Sequence, residues 1–281
     1  MTTKSLQDLL KEKKISTENS SADQKNTVEI SKEERIKKAR DNMLKSLKIP
    51  RKYQPKGFSD FDVSNLNNPN AEALVADIKR YAESAMKISK NNWAFLTGDV
   101  GLGKTHLAIA AFKEAACQWA EYIALKNINP YNVGRTDIGR NFRYVTCSSL
   151  LQELKDSYDT DLFTEHGTLL KYKDAPLLLL DDLGTERASE WQQEKLYIIL
   201  NHRYNNYLPT IITTNLDSKE LEVHINKRMM DRIVEATNGG ENIWRLIGSS
   251  YRMRGMSEWM KKDLKKRTEG IKNFKRDNFN R

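Results

Sequence analysis

The chain has 281 residues, 38% of them hydrophobic and 30% charged, with a formal net charge of +9, enough for one sizeable core plus appendages. Its longest uninterrupted apolar run, Leu177 to Leu180 behind Ala175 and Pro176, is far too short to cross a bilayer. No signal-peptide pattern opens the sequence, so a cytoplasmic protein without a membrane partner is expected. The only cysteines, Cys117 and Cys147, support neither a disulfide framework nor a cysteine zinc cluster and are expected to be buried thiols.

At the N-terminus Leu6, Leu9 and Leu10 stand at helical spacing, ahead of a Ser/Thr/Asn-rich linker from Ser16 to Thr27. Ser31 and Glu34 then form a capping-box pattern for a highly charged helix that carries Ile36, Met43, Leu44 and Leu47 on one face and ends at Pro50. Two readings of this helix stay open: docked on the main domain, or binding a partner from a tether. After an irregular stretch over 51–70, a helix is expected from Ala71 to about Ile88, with Leu74, Val75, Ile78, Tyr81, Ala85 and Met86 facing inward.

The apolar run Trp93 to Thr97 then feeds Gly98-Asp99-Val100-Gly101-Leu102-Gly103-Lys104-Thr105, followed by the helix-forming His106-Leu107-Ala108-Ile109. This is G-x-x-x-x-G-K-[ST] between a strand and a helix, the pattern of a phosphate-binding loop. Its glycines let backbone N–H groups curl round a polyphosphate, and the helix N-terminus adds partial positive charge. Lys104 can reach the β- and γ-phosphates, and the Thr105 hydroxyl can ligate Mg²⁺. Gly98 to Thr105, with His106 directly after, are therefore the candidate cofactor-binding residues.

The helix is expected to run to about Ala124, with a loop over 126–140, a second strand from Phe142 to Thr146 and a helix from Ser148 to Lys155. A polar stretch through Tyr158, Phe163 and Lys171 leads to a third strand, Leu177 to Leu180, which ends in Asp181-Asp182. An apolar strand ending in an acid is the Walker B arrangement: Asp181 would hold Mg²⁺ beside the phosphates, and Asp182 would orient or activate a water, with Glu186 as the alternative acid. Ser189 can cap a helix to about Tyr207 that buries Trp191, Leu196, Ile199 and Leu200. A fourth strand from Thr210 to Thr214 ends in Asn215 on the same rim. A helix with Lys227, Arg228, Asp231 and Arg232 precedes a fifth strand, Trp244 to Ile247. Alternation of strand and helix predicts a parallel sheet covered on both sides.

Between Phe58 and Arg254 the chain resembles the AAA+ ATPases of the DnaC/DnaI helicase-loader type, with the transposition regulator IstB as a near relative. The resemblance rests on Gly-Leu-Gly-Lys-Thr-His-Leu-Ala at 101–108, Leu-Asp-Asp-Leu-Gly-Thr-Glu at 180–186, Thr-Thr-Asn-Leu at 213–216, Met-Asp-Arg at 230–232 and Ser-Tyr-Arg at 250–252. It implies an α/β P-loop NTPase of the AAA+ type: a five-stranded parallel sheet with helices on both faces, a reduced lid and a helical N-terminal extension. ATP and Mg²⁺ are the implied cofactors. For Asn215 it implies a sensor-1 role, for Arg232 an arginine finger in trans with Arg228 near it, and for Arg252 a sensor-2-like role. The implied partners are a hexameric replicative DNA helicase, single-stranded DNA touched by helices over about 148–171, and a second copy across an ATP-bridged interface.

Two departures qualify the resemblance. No cysteine precedes Cys117, so the zinc-binding N-terminal domain of DnaI-like loaders is not expected. Asp182 also stands where many AAA+ proteins have Glu, and little chain remains after Arg252 to build a lid. Slow hydrolysis in an ATP-controlled switch is the expectation. An IstB-like transposase regulator is the alternative, and a small-molecule kinase is disfavoured by Asn215, Arg232 and the basic balance. The expected organisation is a partner-binding helical segment with its linker over 1–50, a connecting segment and first core helix over 51–91, the ATPase core over 92–254 and a basic tail over 255–281. From Arg252 to Arg281 there are eleven Lys/Arg against four Asp/Glu, with Trp259, Phe274 and Phe279 interspersed. Such a block suits either nucleic-acid contact or a solubilising tail.

Overall fold

The five apolar stretches form strands that all run parallel. The computed structural model describes residues 31–86, 90–126, 142–158, 162–184, 189–253 and Met260. Helices α1 (Lys32–Ser46) and α2 (Ala71–Ser84) lead to β1 (Trp93–Gly98), and α3 (Lys104–Lys126) follows it. Next come β2 (Arg143–Thr146), α4 (Cys147–Tyr158), α5 (Leu162–Lys173) and β3 (Leu178–Leu183). The last elements are α6 (Glu190–Asn205), β4 (Thr210–Thr214), α7 (Ser218–Ile225), α8 (Lys227–Ala236) and β5 (Ile243–Leu246). The sheet order is β2-β3-β4-β1-β5. Parallel neighbours cannot be joined by hairpins, so each connection crosses over through helix and every strand ends on the same edge.

Period-two alternation divides the apolar strands between two cores. Ala94, Leu96, Leu179 and Ile211 pack with α1, α2 and α3, whereas Trp93, Phe95, Leu178, Leu180 and Ile212 pack with α4 to α8. Helices thus cover both faces, as expected, and both cysteines are buried free thiols. Among the described residues no helix is long and apolar enough to cross a membrane.

The structure departs from the sequence reading in several elements. The stretch through Phe163 and Lys171, read from its residues only as polar, is the helix α5 that the resemblance implies; it buries Tyr172 and packs Leu169 on the core. The short helix α7 was not anticipated. Its signal is a capping box, in which Asp217 accepts from the N–H groups of Lys219 and Glu220 while Glu220 accepts from the Asp217 N–H. Strand β3 carries both acids, as expected, and runs one residue further, to Leu183. Helix α2 ends at Ser84 rather than near Ile88.

Helix α1 is docked. Met43, Leu47 and Ile49 are buried in the core shared with α2 and α3. Arg40 pairs with Glu114 at 3.0 Å and with Glu121, and the Arg35 guanidinium donates to the Ala124 carbonyl at 2.6 Å. Packing is therefore continuous across residue 50. The helix at Leu6–Leu10, the linker over 16–27, Glu186 and, apart from Met260, the tail beyond Met253 lie outside the described residues.

Candidate nucleotide-binding site

At the end of β1 the backbone turns through Gly98, at φ 136°, where an added Cβ would lie 2.2 Å from the Leu246 carbonyl oxygen. Gly103, at φ 91°, closes the loop, and a Cβ there would meet the Phe61 ring at 2.5 Å. Both conformations and both approaches demand glycine. Helix α3 begins at the next residue, so its unpaired N–H groups open onto the loop. Lys104 is 4% exposed, and its Nζ donates to the carbonyls of Gly98 and Asp99 at 2.7 Å each. Burial lowers its pKa to about 8, against the opposing pull of the Asp182, Asp99 and Asp181 carboxylates.

Asp181, at the end of the neighbouring-but-one strand, is 2% exposed and accepts from three hydroxyls. Its Oδ1 accepts from Thr213 at 2.6 Å and Thr105 at 3.0 Å, and its Oδ2 accepts from Tyr144 at 3.1 Å. Burial pushes the carboxyl above its ordinary range, and the hydrogen bond from Thr213 opposes that shift. Consecutive strand residues ordinarily point to opposite faces, but β3 is bulged here. Its pairing with β4 runs to Leu180↔Ile212 and resumes at Leu183↔Thr214, so Asp181 and Asp182 together oppose Thr213. Asp182 takes φ 55° and its N–H donates to Thr213 Oγ1 at 2.9 Å. One hydroxyl thus fixes both acids. Asn215, just past β4, reaches Asp182 Oδ1 with its amide at 3.4 Å.

Residues 54–238 match the family described as the bacterial DnaA ATPase domain. The chain belongs to that family. It is also 26% identical over 188 residues to the replicative helicase loader DnaI of Bacillus subtilis, an alignment covering 66% of this chain and 52% of the relative. The phage-like element PBSX protein XkdC of the same organism is 28% identical over 201 residues, covering 69% of this chain and 66% of the relative. A crystal structure of DnaI is 25% identical, with a TM-score of 0.50 over 72% of this chain and 94% of that one. The chain thus spans about half the length of the DnaI relative. The resemblance to DnaC/DnaI-type AAA+ ATPases is borne out, and the fold is of the ATPase P-loop type.

Within this DnaA-type domain the remaining expected residues are placed in four ways. Asp99 and Val100 expose their side chains and offer the loop their backbone, whereas Leu102 is buried beneath it. His106 is turned away from the loop: its Nε2 bonds the Gly57 carbonyl at 2.9 Å and its ring meets Phe61 edge-on, with burial lowering its pKa. Arg252 is exposed on the segment after β5, whose Tyr251 N–H donates to the Gly101 carbonyl at 2.9 Å. Its charge bears on Lys104. Arg232 is not gathered into this site. It lies on α8 with its guanidinium 5.5 Å from the Tyr197 ring centre and 5.4 Å from that of Tyr204, donating to Tyr197 Oη at 3.0 Å and to Asn201 Oδ1. The sequence reading missed Tyr144, Thr213 and Phe61 as parts of the site. Only Thr213 carried a signal, as the residue two before Asn215.

Proposed function

We propose that this DnaA-type domain is an ATP-dependent loader that places a hexameric replicative helicase on single-stranded DNA, with slow hydrolysis serving as a switch. The observation that carries the ATPase part is the hydrogen bond from Thr105 to Asp181, which joins the phosphate-binding loop to the β3 acid. The loader part rests on the likeness to DnaI.

The residues fit Mg-ATP. Thr105 and Asp181 present hard oxygen donors 3.0 Å apart, and Mg²⁺ takes only one or two carboxylates when phosphates and water complete its shell. Bound Mg-ATP supplies the γ-phosphoryl group as electrophile. In this reading Lys104 exchanges its loop carbonyls for phosphate oxygens, Asp182 orients the attacking water, and Asn215 holds Asp182 and senses the phosphate end. Arg252 reaches the phosphates from the β5 side. Arg232, remote from its own pocket, serves the pocket of a second copy, and α4 and α5 face the single strand.

Two measurements test the reading. Lys104→Ala should lose fluorescent-ATP binding while melting as the wild type does; retained binding and hydrolysis would refute the site. For the partner, the full chain and residues 31–281 are used side by side to capture proteins from the native host lysate, the cut placed at residue 30 because α1 is packed on α3. A hexameric replicative helicase held only by the full chain supports the loader, whereas a transposase in its place supports an IstB-like regulator.

A further inference from the structure

Between Arg35 and Lys56 the chain carries nine Lys/Arg and a single acid, Asp41. Two of these cations are turned inward, Arg40 onto Glu114 and Glu121 and Arg35 onto the Ala124 carbonyl. The rest are exposed: Lys37, Lys38, Lys45 and Lys48 on and just after α1, then Arg51, Lys52 and Lys56. Helical geometry accounts for the first group. Met43 and Leu47 define the buried side, and at about 100° per residue Lys38 and Lys45 fall on the opposite side with Lys37 on the flank. The second group is held by its backbone, because Lys113 Nζ donates to the carbonyls of Gln54 at 2.7 Å and Lys56 at 2.8 Å. The carbonyls are thus tied to α3. None of the seven pairs with an acid among the described residues; the nearest acids in sequence besides Asp41 are Glu33 and Glu34 before the run and Asp60 after it.

A row of like charges held on a packed surface raises the local concentration of a polyanion and is relieved by binding one. We propose that the outer face of α1 together with residues 48–56 is a binding surface for the phosphodiester backbone of a nucleic acid, read without regard to base sequence. The choice of nucleic acid over other polyanions rests on the replication role proposed above; the surface itself does not. The row runs into Gly57 and Phe61, which touch His106 and Gly103, so the surface adjoins the phosphate-binding loop through the chain itself.

The test uses the full chain with Lys37, Lys38, Lys45 and Lys48 all changed to Gln. A control changes Lys79, Lys90, Lys219 and Lys227 to Gln, which are exposed elsewhere and alter net charge equally. Binding of labelled oligothymidylate, and of a duplex of equal length, is followed by anisotropy over about 50–200 mM salt. Loss of up to four phosphate contacts should lower the slope of log affinity against log salt by up to about 3 on single strands, and weaken low-salt binding at least about tenfold. Comparing the loss on the single strand with that on the duplex, whose slopes are near 0.7 and 0.9 per contact, shows which form the surface contacts. Equal losses in strip variant and control would overturn the proposal, as would no loss in either. A strip variant that loses only phosphatidylglycerol vesicles would also overturn it. A second variant, Arg51→Gln with Lys52→Gln and Lys56→Gln, leaves α1 untouched and should lower the single-strand slope by up to about 2. Nucleotide binding is measured separately, so failure of the ATPase reading and failure of this surface are distinguishable.

Discussion

Thr213→Val removes the one hydroxyl that holds both acids and keeps the β-branched shape suited to a central strand. Two bonds are lost. The donor to the buried Asp181 carboxylate, 2.6 Å from Oδ1, is a bond to a charged group worth about 1.5–3 kcal/mol. The Asp182 N–H, which donates at 2.9 Å, loses its acceptor at about 1 kcal/mol. The sum, about 2–4 kcal/mol, corresponds to a fall in Tm of about 5–15 °C at roughly 2–4 °C per kcal/mol for a domain of this size. The pH dependence has a defined sign. Asp181 already has a folded-state pKa above its unfolded value, so its contribution to stability is fully present below the ordinary carboxylate range and is lost as pH rises through the raised pKa. Without the Thr213 donor that pKa rises further and more is lost at neutral pH. The Tm gap between wild type and variant should therefore be wider near about pH 7 than near about pH 4. Calorimetry at both pH values reads the gap, and titration of fluorescent ATP against Mg²⁺ should show a higher Mg²⁺ requirement. A Tm within about 1 °C of wild type with an unchanged Mg²⁺ requirement would refute the assignment of Thr213 as the support of both acids.

Three further outcomes follow from the same geometry. Asp182→Asn should retain ATP binding and lose turnover by about 10²–10⁴ if the acid activates the water; single-turnover assays with radiolabelled ATP decide, and wild-type rates would shift attention to Glu186. Arg232→Ala should bind ATP normally and fail to hydrolyse it, while mixing with Lys104→Ala should restore part of the activity; no recovery at any ratio would place the whole pocket in one chain. Because burial lowers the Lys104 pKa to about 8 and phosphates would favour its charged form, ATP binding should take up a proton at alkaline pH. Affinity should therefore fall as pH rises through about 8, and a flat profile across that range would argue against contact between Lys104 and phosphate.

The strands, the loop and the acids were legible because each is a local pattern: an apolar run, glycines before Lys104, carboxylates after Leu180. What was not legible depends on neighbours distant in sequence. Tyr144 becomes a partner of Asp181 only because β2 pairs with β3 in the register Tyr144↔Leu179, and Thr213 only because the bulge sets two residues against it. Phe61 reaches Gly103 from just after a 3₁₀ turn, Phe58–Asp60, that no periodicity marks. Helix α1 showed its apolar face in sequence but not what covers it; the answer lies in α3, where Glu114 and Glu121 receive Arg40. For Arg232 the resemblance implied a role in a second copy's pocket; what the structure adds is its stacking on Tyr197 and Tyr204, which pairs α8 with α6 and which periodicity cannot align.

The two edges of the sheet divide stability from chemistry, and Arg203 shows how. Fully buried at 0% exposure, it donates to the carbonyls of Tyr172, Lys173, Ala175 and Pro209 and to the Thr210 hydroxyl. Those acceptors lie where β3 and β4 enter the sheet, so a single planar guanidinium fixes the spacing and register of the two strands at that edge. At the other edge the same two strands bulge, with Asp182 at positive φ and two acids opposed to one threonine. A local irregularity of this kind costs stability and persists only where its surroundings over-determine it. The clamp at Arg203 supplies that determination from below and the hydroxyls of Thr105, Tyr144 and Thr213 from above. The site can then hold an acid at an unfavourable pKa without the strands drifting apart.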